Sequence, residues 1–179
     1  MNWFSDFKDL GLSSLPGQLS LNFYFNWLNY YSTQFNAQSP FVDFSGSGGD
    51  GTFTQGIAQP LFRYKTNTTV GYAVGPASLS LRWQHMPSVV SAGSISSPTN
   101  PNNAFPTNAY DVFDLSGTWK ITSAYILRAG VENLFDRQPE ITGRTPGVGS
   151  PASSGQGSTY LGVYDILGRR FYVGLKARF

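Results

Sequence analysis

Four groups of residues in this 179-residue sequence have types and spacings that could do chemistry: Gly46–Gly51, the single His85, two carboxylate pairs, and a set of arginines and lysines. Residues 46–51, GSGGDG, match the spacing G-x-G-x-x-G. A dinucleotide site needs that loop between a strand and a helix, whose N-terminus holds the pyrophosphate. TFTQGIAQP follows instead, without helical periodicity. The same stretch touches a calcium-binding β-roll repeat, but one copy cannot stack, so an extended loop is the expectation. His85 has no second histidine and no cysteine to share a metal, and a nucleophilic triad would have to use it as base. A place at a rim or loop base is expected for it. Asp111 and Asp114 are an odd number of residues apart, which on a strand puts them on opposite faces. Glu132 and Asp136 straddle a strand end, so neither pair forms the facing carboxylates of a glycosidase. No enzyme activity, cofactor or metal is expected.

The basic set is different, because its members share a parity. Arg63, Lys65, Arg82, Lys120, Arg128, Arg170, Lys176 and Arg178 fall with Asp114 and Glu132 on the polar side of alternating segments. If that side lines a watery interior, the wall is basic. It would attract anionic cargo, pair with acidic residues of another segment, or simply be hydrated. Arg128 and Asp114 are the expected cross-strand contact.

The elements that position these residues are strands. Period-two patterning marks them at about 18–32, 61–74, 77–87, 110–121, 124–135 and 168–179, with the end of a seventh in 1–14. Tight connections at Leu15-Pro16-Gly17, Gly75-Pro76 and Thr122-Ser123 alternate with long ones at 33–60, 88–109 and 136–163. Up-and-down hairpins then gather the tight turns at one end and the long loops at the other, the asymmetry of outer-membrane barrels. Leu79, Leu81 and Trp83 oppose Ser78, Ser80, Arg82 and Gln84; Leu19, Leu21, Phe23, Phe25 and Trp27 oppose Ser20, Asn22, Tyr24 and Asn26. Charge breaks parity only at Asp111 and Arg169, at long-loop ends.

Composition agrees with a membrane setting for these strands. Aromatics make up 16% and charged residues only 12%, against about 25% charged in a typical soluble domain. No run approaches the roughly 20 apolar residues of a spanning helix. The net charge of +2 gives no reason to expect a nucleic-acid partner. A soluble β-sandwich would also alternate. However, its outer faces should carry dense Lys and Glu, where this chain has Ser, Thr, Asn and isolated Arg.

Three stretches add a family resemblance: YDVFDLSGTWKI at 110–121, LRAGVENLFD at 127–136 and YDILGRRFYVGLKARF at 164–179. Together they resemble the end of TonB-dependent outer-membrane receptors, whose large barrel is closed by a plug. The motif residues are Asn133, Leu134, Phe135 and Asp136, then Gly168 and Arg169. PLFRYKTNTTVGYAVGPASLSLRW and LPGQLSLNFYFNWLNYY are looser matches. The resemblance implies an all-β, antiparallel, up-and-down transmembrane barrel segment of about six or seven strands, spanning 1–179. It also implies that 33–60, 88–109 and 136–163 are extracellular loops.

The resemblance implies further that Phe171, Val173, Leu175 and the final Phe179 form the strand read by the barrel-assembly machinery. The implied location is the bacterial outer membrane. The implied partners are lipid, the remaining barrel and plug, and TonB through the plug. The implied function is uptake of a scarce nutrient: a ferric siderophore, cobalamin or an oligosaccharide. Family barrels have about 22 strands, so the expectation is a portion of a receptor, without plug, TonB box or export signal, and with Met1 part-way along a strand. The alternatives are a small complete barrel, in which strand 168–179 pairs near the N-terminus, and a soluble carbohydrate-binding sandwich.

Overall fold

The computed structural model describes residues 1–48, 60–101, 103, 105–142, 159–160 and 163–178. The alternating segments fold as β1 (Asn2–Asp6), β2 (Gln18–Trp27), β3 (Ser32–Gln34), β4 (Phe41–Asp43), β5 (Ser47–Gly48), β6 (Tyr64–Val74), β7 (Ala77–Met86), β8 (Val90–Ser91), β9 (Tyr110–Lys120), β10 (Tyr125–Glu132) and β11 (Arg170–Ala177). A 3-10 turn covers Phe7–Leu10 and a short helix, α1, covers Ala92–Ser96. Seven strands form one antiparallel sheet in the order β1-β2-β6-β7-β9-β10-β11. The two small pairs, β3–β4 and β5–β8, belong to the long connections. The molecule is therefore all-β and up-and-down, as the alternation predicts.

The sheet is open. Among the described residues β1 pairs with β2 and β11 with β10, so the first and last strands stand at opposite edges. The small complete barrel needs these two strands side by side, and the order of the sheet contradicts it. Strand ends also differ from the sequence reading for local reasons. The strand expected to reach residue 32 stops at Trp27, although the Leu28 amide still donates to the Arg63 carbonyl at 2.9 Å. The strand expected to reach 135 stops at Glu132, because Asn133 takes a left-handed φ of 51° that no ladder accommodates.

Register decides what faces where. Leu21 lies opposite Val70, Val70 opposite Leu81, Leu81 opposite Leu115, Leu115 opposite Val131 and Val131 opposite Phe171. This is one row of apolar side chains crossing six strands on a single face. Gly117, Ala129 and Val173 make the next row, and Trp119, Leu127 and Leu175 the one after. All four tryptophans, Trp3, Trp27, Trp83 and Trp119, have this parity. The face is bare: Leu79, on a central strand with neighbours on both sides, is 50% exposed and Val173 is 77% exposed. A sandwich would cover these side chains with a second sheet, and no described element does so.

The buried core lies on the other face, at the long-loop end. Tyr110 and Val112 of β9 point to the polar side, where Phe62, Val89, Tyr160 and Tyr164 from the connections close over them, with Met86 and Val163 at the margin. Rings pack at tilted and edge-on angles within the cluster, Tyr110 and Tyr164 at 4.9 Å between centroids. A smaller cluster of Phe44 and Ala92 ties β4 to α1 through Val42, Leu61 and Ile95. The loops thus bury their apolar residues against the polar face, not against the oily one.

A latch joins two of the long connections. Glu140 accepts the Asn108 backbone N–H at 2.8 Å and its side-chain amide at 2.7 Å. The backbone bond first, then the side-chain bond, holds the Glu140 carboxyl below its ordinary range. A depressed folded value means the stabilisation is full above the unfolded pKa, about 4.3. It is lost as pH falls through the lower folded value. The protection factor of the Asn108 amide, measured by hydrogen exchange, should therefore be constant from neutral pH down to about 5 and drop below about 4. In Glu140→Ala it should be low throughout.

Candidate functional site

The polar face carries a charge network under the segment that returns from the longest connection. Register places Arg82 opposite Asp114. The Arg82 guanidinium donates to Asp114 through Nε at 2.8 Å and approaches with Nη2 at 2.6 Å. The other carboxylate oxygen of Asp114 accepts the Asn133 backbone N–H at 2.8 Å, and Gln84 donates to the first at 3.3 Å. One strand pair further on, Arg170 donates to Glu132 at 2.9 Å and to Asp165 at 2.9 Å. Together they line a cavity of about 370 Å³ between the sheet and residues 163–167, with Tyr164 as part of its wall.

Three carboxylates face two guanidiniums here, so this half of the polar face carries a formal excess of one negative charge. The expected Arg128–Asp114 contact does not form: Arg128 sits opposite Thr118 and Gly174, in a row four residues from Asp114, about 13 Å along the strands. Asp165 escapes the sequence reading because it lies in a connection, where period-two parity says nothing. Its only signal is its position five residues before Arg170.

The other expected wall cations have different fates. Arg63 precedes β6 and turns to the loops, pairing with Asp43 at 3.3 Å and reaching the Asn29 carbonyl at 3.5 Å. Asp43 is itself held low, chiefly by the Ser45 backbone N–H. Lys65 lies with Nζ 5.7 Å from the Phe62 ring centroid, a cation–π contact. Lys120 and Arg128, with Lys176 and Arg178 beyond them, are exposed at the tight-turn end. None of the four forms an ion pair among the described residues.

The motif residues converge on one turn. Asn133 is buried and donates to the Arg137 carbonyl at 2.9 Å, while its side-chain oxygen accepts the Arg137 amide at 2.8 Å. The Leu134 amide donates to the Phe113 carbonyl, and the Phe135 ring packs edge-on against Phe113 at 5.3 Å on the apolar face. Asp136 accepts the Arg169 amide at 2.9 Å, and the Arg169 guanidinium reaches back to the Leu134 carbonyl at 3.5 Å. Gly168 has φ 72°, and a Cβ there would stand 2.7 Å from Asp136 Oδ1. The pattern NLFD followed by GR thus clamps together the two ends of the 136–168 connection. Phe171, Val173 and Leu175 lie exposed on the apolar edge strand; Phe179 is outside the described residues.

His85 and Asp111 meet on the apolar face at the long-loop end. His85 Nδ1 lies 2.8 Å from Asp111, Nε2 lies 3.3 Å from the Tyr64 hydroxyl, and Trp83 Nε1 donates to Asp111 at 2.7 Å. The parity-breaking carboxylate is thereby satisfied by side chains. Around it, ring contacts run from Trp27 through Tyr64, His85 and Trp83 to Phe113. Among the described residues no group of three or more His, Cys, Asp or Glu is placed to hold a metal ion.

The sequence matches no protein-family model and no curated protein. In fold it is similar to a solved structure of the ferric enterobactin receptor of Pseudomonas aeruginosa, a point mutant, with a TM-score of 0.52 and 20% identity over 91% of this chain. The likeness spans 22% of that receptor's chain, and at this identity it establishes the fold alone.

Two measurements check the site. Asp114→Ala should cost more stability than Arg82→Ala by about 1–3 kcal/mol, because it strands the buried Asn133 amide as well as the guanidinium. Urea midpoints in micelles, in a double-mutant cycle, separate the two effects. Gly168→Ala should lower stability by about 1–3 kcal/mol through left-handed strain and the contact with Asp136.

Proposed function

We propose that this chain is part of the wall of a bacterial outer-membrane receptor of the TonB-dependent class, its apolar face in lipid and its polar face toward a watery interior. The observation that carries this is the bare apolar face: rows of Leu, Val, Phe and Trp in register across the sheet, half or more exposed at Leu79 and Val173. An exposed patch of this size marks a surface that meets a membrane or a partner. The sheet's ring-lined margin at the long-loop end suits the aromatic belt of a bilayer interface. Fold likeness to a receptor barrel and the convergence of the motif residues support the class.

On this reading the open edges at β1 and β11 continue into further barrel strands, since unpaired backbone in hydrocarbon is costly. The chain contributes barrel wall and the long extracellular connections. Phe171, Val173 and Leu175, with Phe179, serve as the assembly signal. The nutrient belongs to the ferric siderophore, cobalamin or oligosaccharide class. Energy coupling would come from a plug and TonB, so this segment by itself is expected to transport nothing actively and to catalyse nothing.

Leu81 and Ser80 are adjacent on a central strand but face opposite ways. Leu81→Arg should impair insertion into phosphatidylcholine vesicles, at about 2–4 kcal/mol for an arginine near mid-membrane, whereas Ser80→Arg should insert normally. The four tryptophans provide a direct readout. Brominated acyl chains should quench their fluorescence strongly and aqueous acrylamide weakly. A monodisperse chain without detergent, or equal tolerance of the two arginines, would refute the reading.

A further inference from the structure

The connection from β1 to β2 covers residues 7–17, longer than a hairpin turn, and it leans toward the apolar face. Phe7 continues the parity of Trp3 and Ser5, which lie opposite Leu21 and Leu19 on that face. Its ring meets Tyr72 edge-on at 5.6 Å between centroids, and the Tyr72 hydroxyl donates to the Pro16 carbonyl at 2.9 Å. Tyr72 belongs to β6, in register between Leu19 and Leu79. Both contacts therefore draw the connection inward over β2, away from the free edge of β1. Between them Leu10, Leu12 and Leu15 are exposed. Scattered apolar residues on a surface need no explanation. Three leucines within six residues, joined to a bare apolar face through Phe7 and Tyr72, make a patch. The turns at Gly75-Pro76 and Thr122-Ser123 carry no leucine.

We infer that residues 7–17 are an interfacial lipid anchor, with Leu10, Leu12 and Leu15 seated at the boundary between headgroups and acyl chains. The inference rests on the proposed placement of the apolar face in lipid and extends it from the strands to a connection. Lipid suits the patch because the patch is continuous with that face. Tyr72, Trp119 and Tyr125 share its parity in the rows nearest the tight turns, the level of an interfacial aromatic belt. The backbone is fitted to such a boundary as well. The Gly11 amide donates to the Lys8 carbonyl at 3.1 Å, the Leu12 amide to the Phe7 carbonyl at 2.9 Å and the Leu15 amide to the Leu12 carbonyl at 3.0 Å. Pro16 has no amide hydrogen, and Tyr72 serves its carbonyl. Peptide groups bonded in this way cost less to bring near hydrocarbon. Lys8 and Asp9 stay exposed on the 3-10 turn, one charge of each sign, so apolar burial drives the attachment. The anchor would set the height of this part of the wall in the bilayer.

The chain has no cysteine, so one introduced thiol reports on one place. The full chain with Ser13→Cys, which keeps all three leucines, is labelled with an environment-sensitive nitrobenzoxadiazole dye in phosphatidylcholine vesicles. Its emission should shift to the blue relative to a Ser123→Cys chain labelled in the same way. A shallow nitroxide on the acyl chains should quench it more strongly than a deep one, as expected for a segment buried about 5–10 Å into the boundary. Adding Leu10→Ser, Leu12→Ser and Leu15→Ser should abolish the shift with circular dichroism unchanged. If that variant fails to fold, the label on the leucine-containing chain still decides. A Ser13 label as wet as the Ser123 label, in a chain whose tryptophans are quenched by brominated lipid, would overturn the inference and leave the receptor reading standing. So would an equal shift in the folded serine variant, or a shift lost on dilution into excess lipid, which would give the patch to a second copy of the chain. Tryptophans left unquenched by brominated lipid would remove the membrane placement and the anchor together.

Discussion

A strand turns successive side chains to opposite faces, and a shift of one residue exchanges the faces completely. The rest of this structure depends on that constraint being satisfied in seven strands at once. From Leu21 on β2 to Phe171 on β11 the pairing brings apolar onto apolar, and the row holds across hairpins with turns as different as Gly75-Pro76 and Thr122-Ser123. Each strand alone carries only a weak alternating signal. Their agreement in register makes a surface from it. Charge is admitted to that surface at Asp111, at its margin, where Trp83 and His85 supply hydrogen-bonding partners.

The polar face is organised by a different balance. Apolar and aromatic strand residues are scattered on it, as at Phe4, Tyr24 and Ile126, and they gather only at the long-loop end, where Tyr110 and Val112 carry polar-side parity. The connections use these two residues as a floor and bury Phe62, Tyr160 and Tyr164 on them. The described loops therefore settle over the polar side of the sheet and leave the apolar side bare. The charge network lies beside this cap, and Asp165 on the returning segment ties the cap to Arg170 on β11. In a receptor wall, such an arrangement would join the outer loops to the interior.

Much of the fold was legible in the sequence. Alternation located six of the seven sheet strands and left the seventh somewhere within 1–14, because period two is dictated by strand geometry. The tight turn at Gly75-Pro76 was legible from its residues, whereas the connection expected to be tight at Leu15-Pro16-Gly17 runs over residues 7–17 and includes the 3-10 turn Phe7–Leu10. Arg82, Asp114, Arg128 and Glu132 share one face of the sheet, since parity alone sets that. Parity does not set their partners. Arg128 and Asp114 lie on neighbouring strands with the same parity, which makes a cross-strand contact plausible but leaves their relative height along the strands open. Register gave Asp114 to Arg82 instead, one strand the other way. Arg63 and Asp165 were misjudged or missed for a related reason: both lie outside the regular ladder, where a loop's path sets the neighbours. The motif NLFD with GR was recognised by resemblance, but its physical basis in a left-handed Asn133 and a crowded Gly168 is visible only in coordinates.

What the sequence determined by itself was the class of fold and the sidedness of each strand, because both follow from local stereochemistry and from the cost of placing charge among apolar side chains. What tertiary structure decided was which charges neutralise one another, where the loops find an apolar floor, and that the sheet stays open at β1 and β11. Those outcomes depend on distances between residues far apart in the chain. Strand pairing and loop closure fix such distances collectively, so no single segment encodes them.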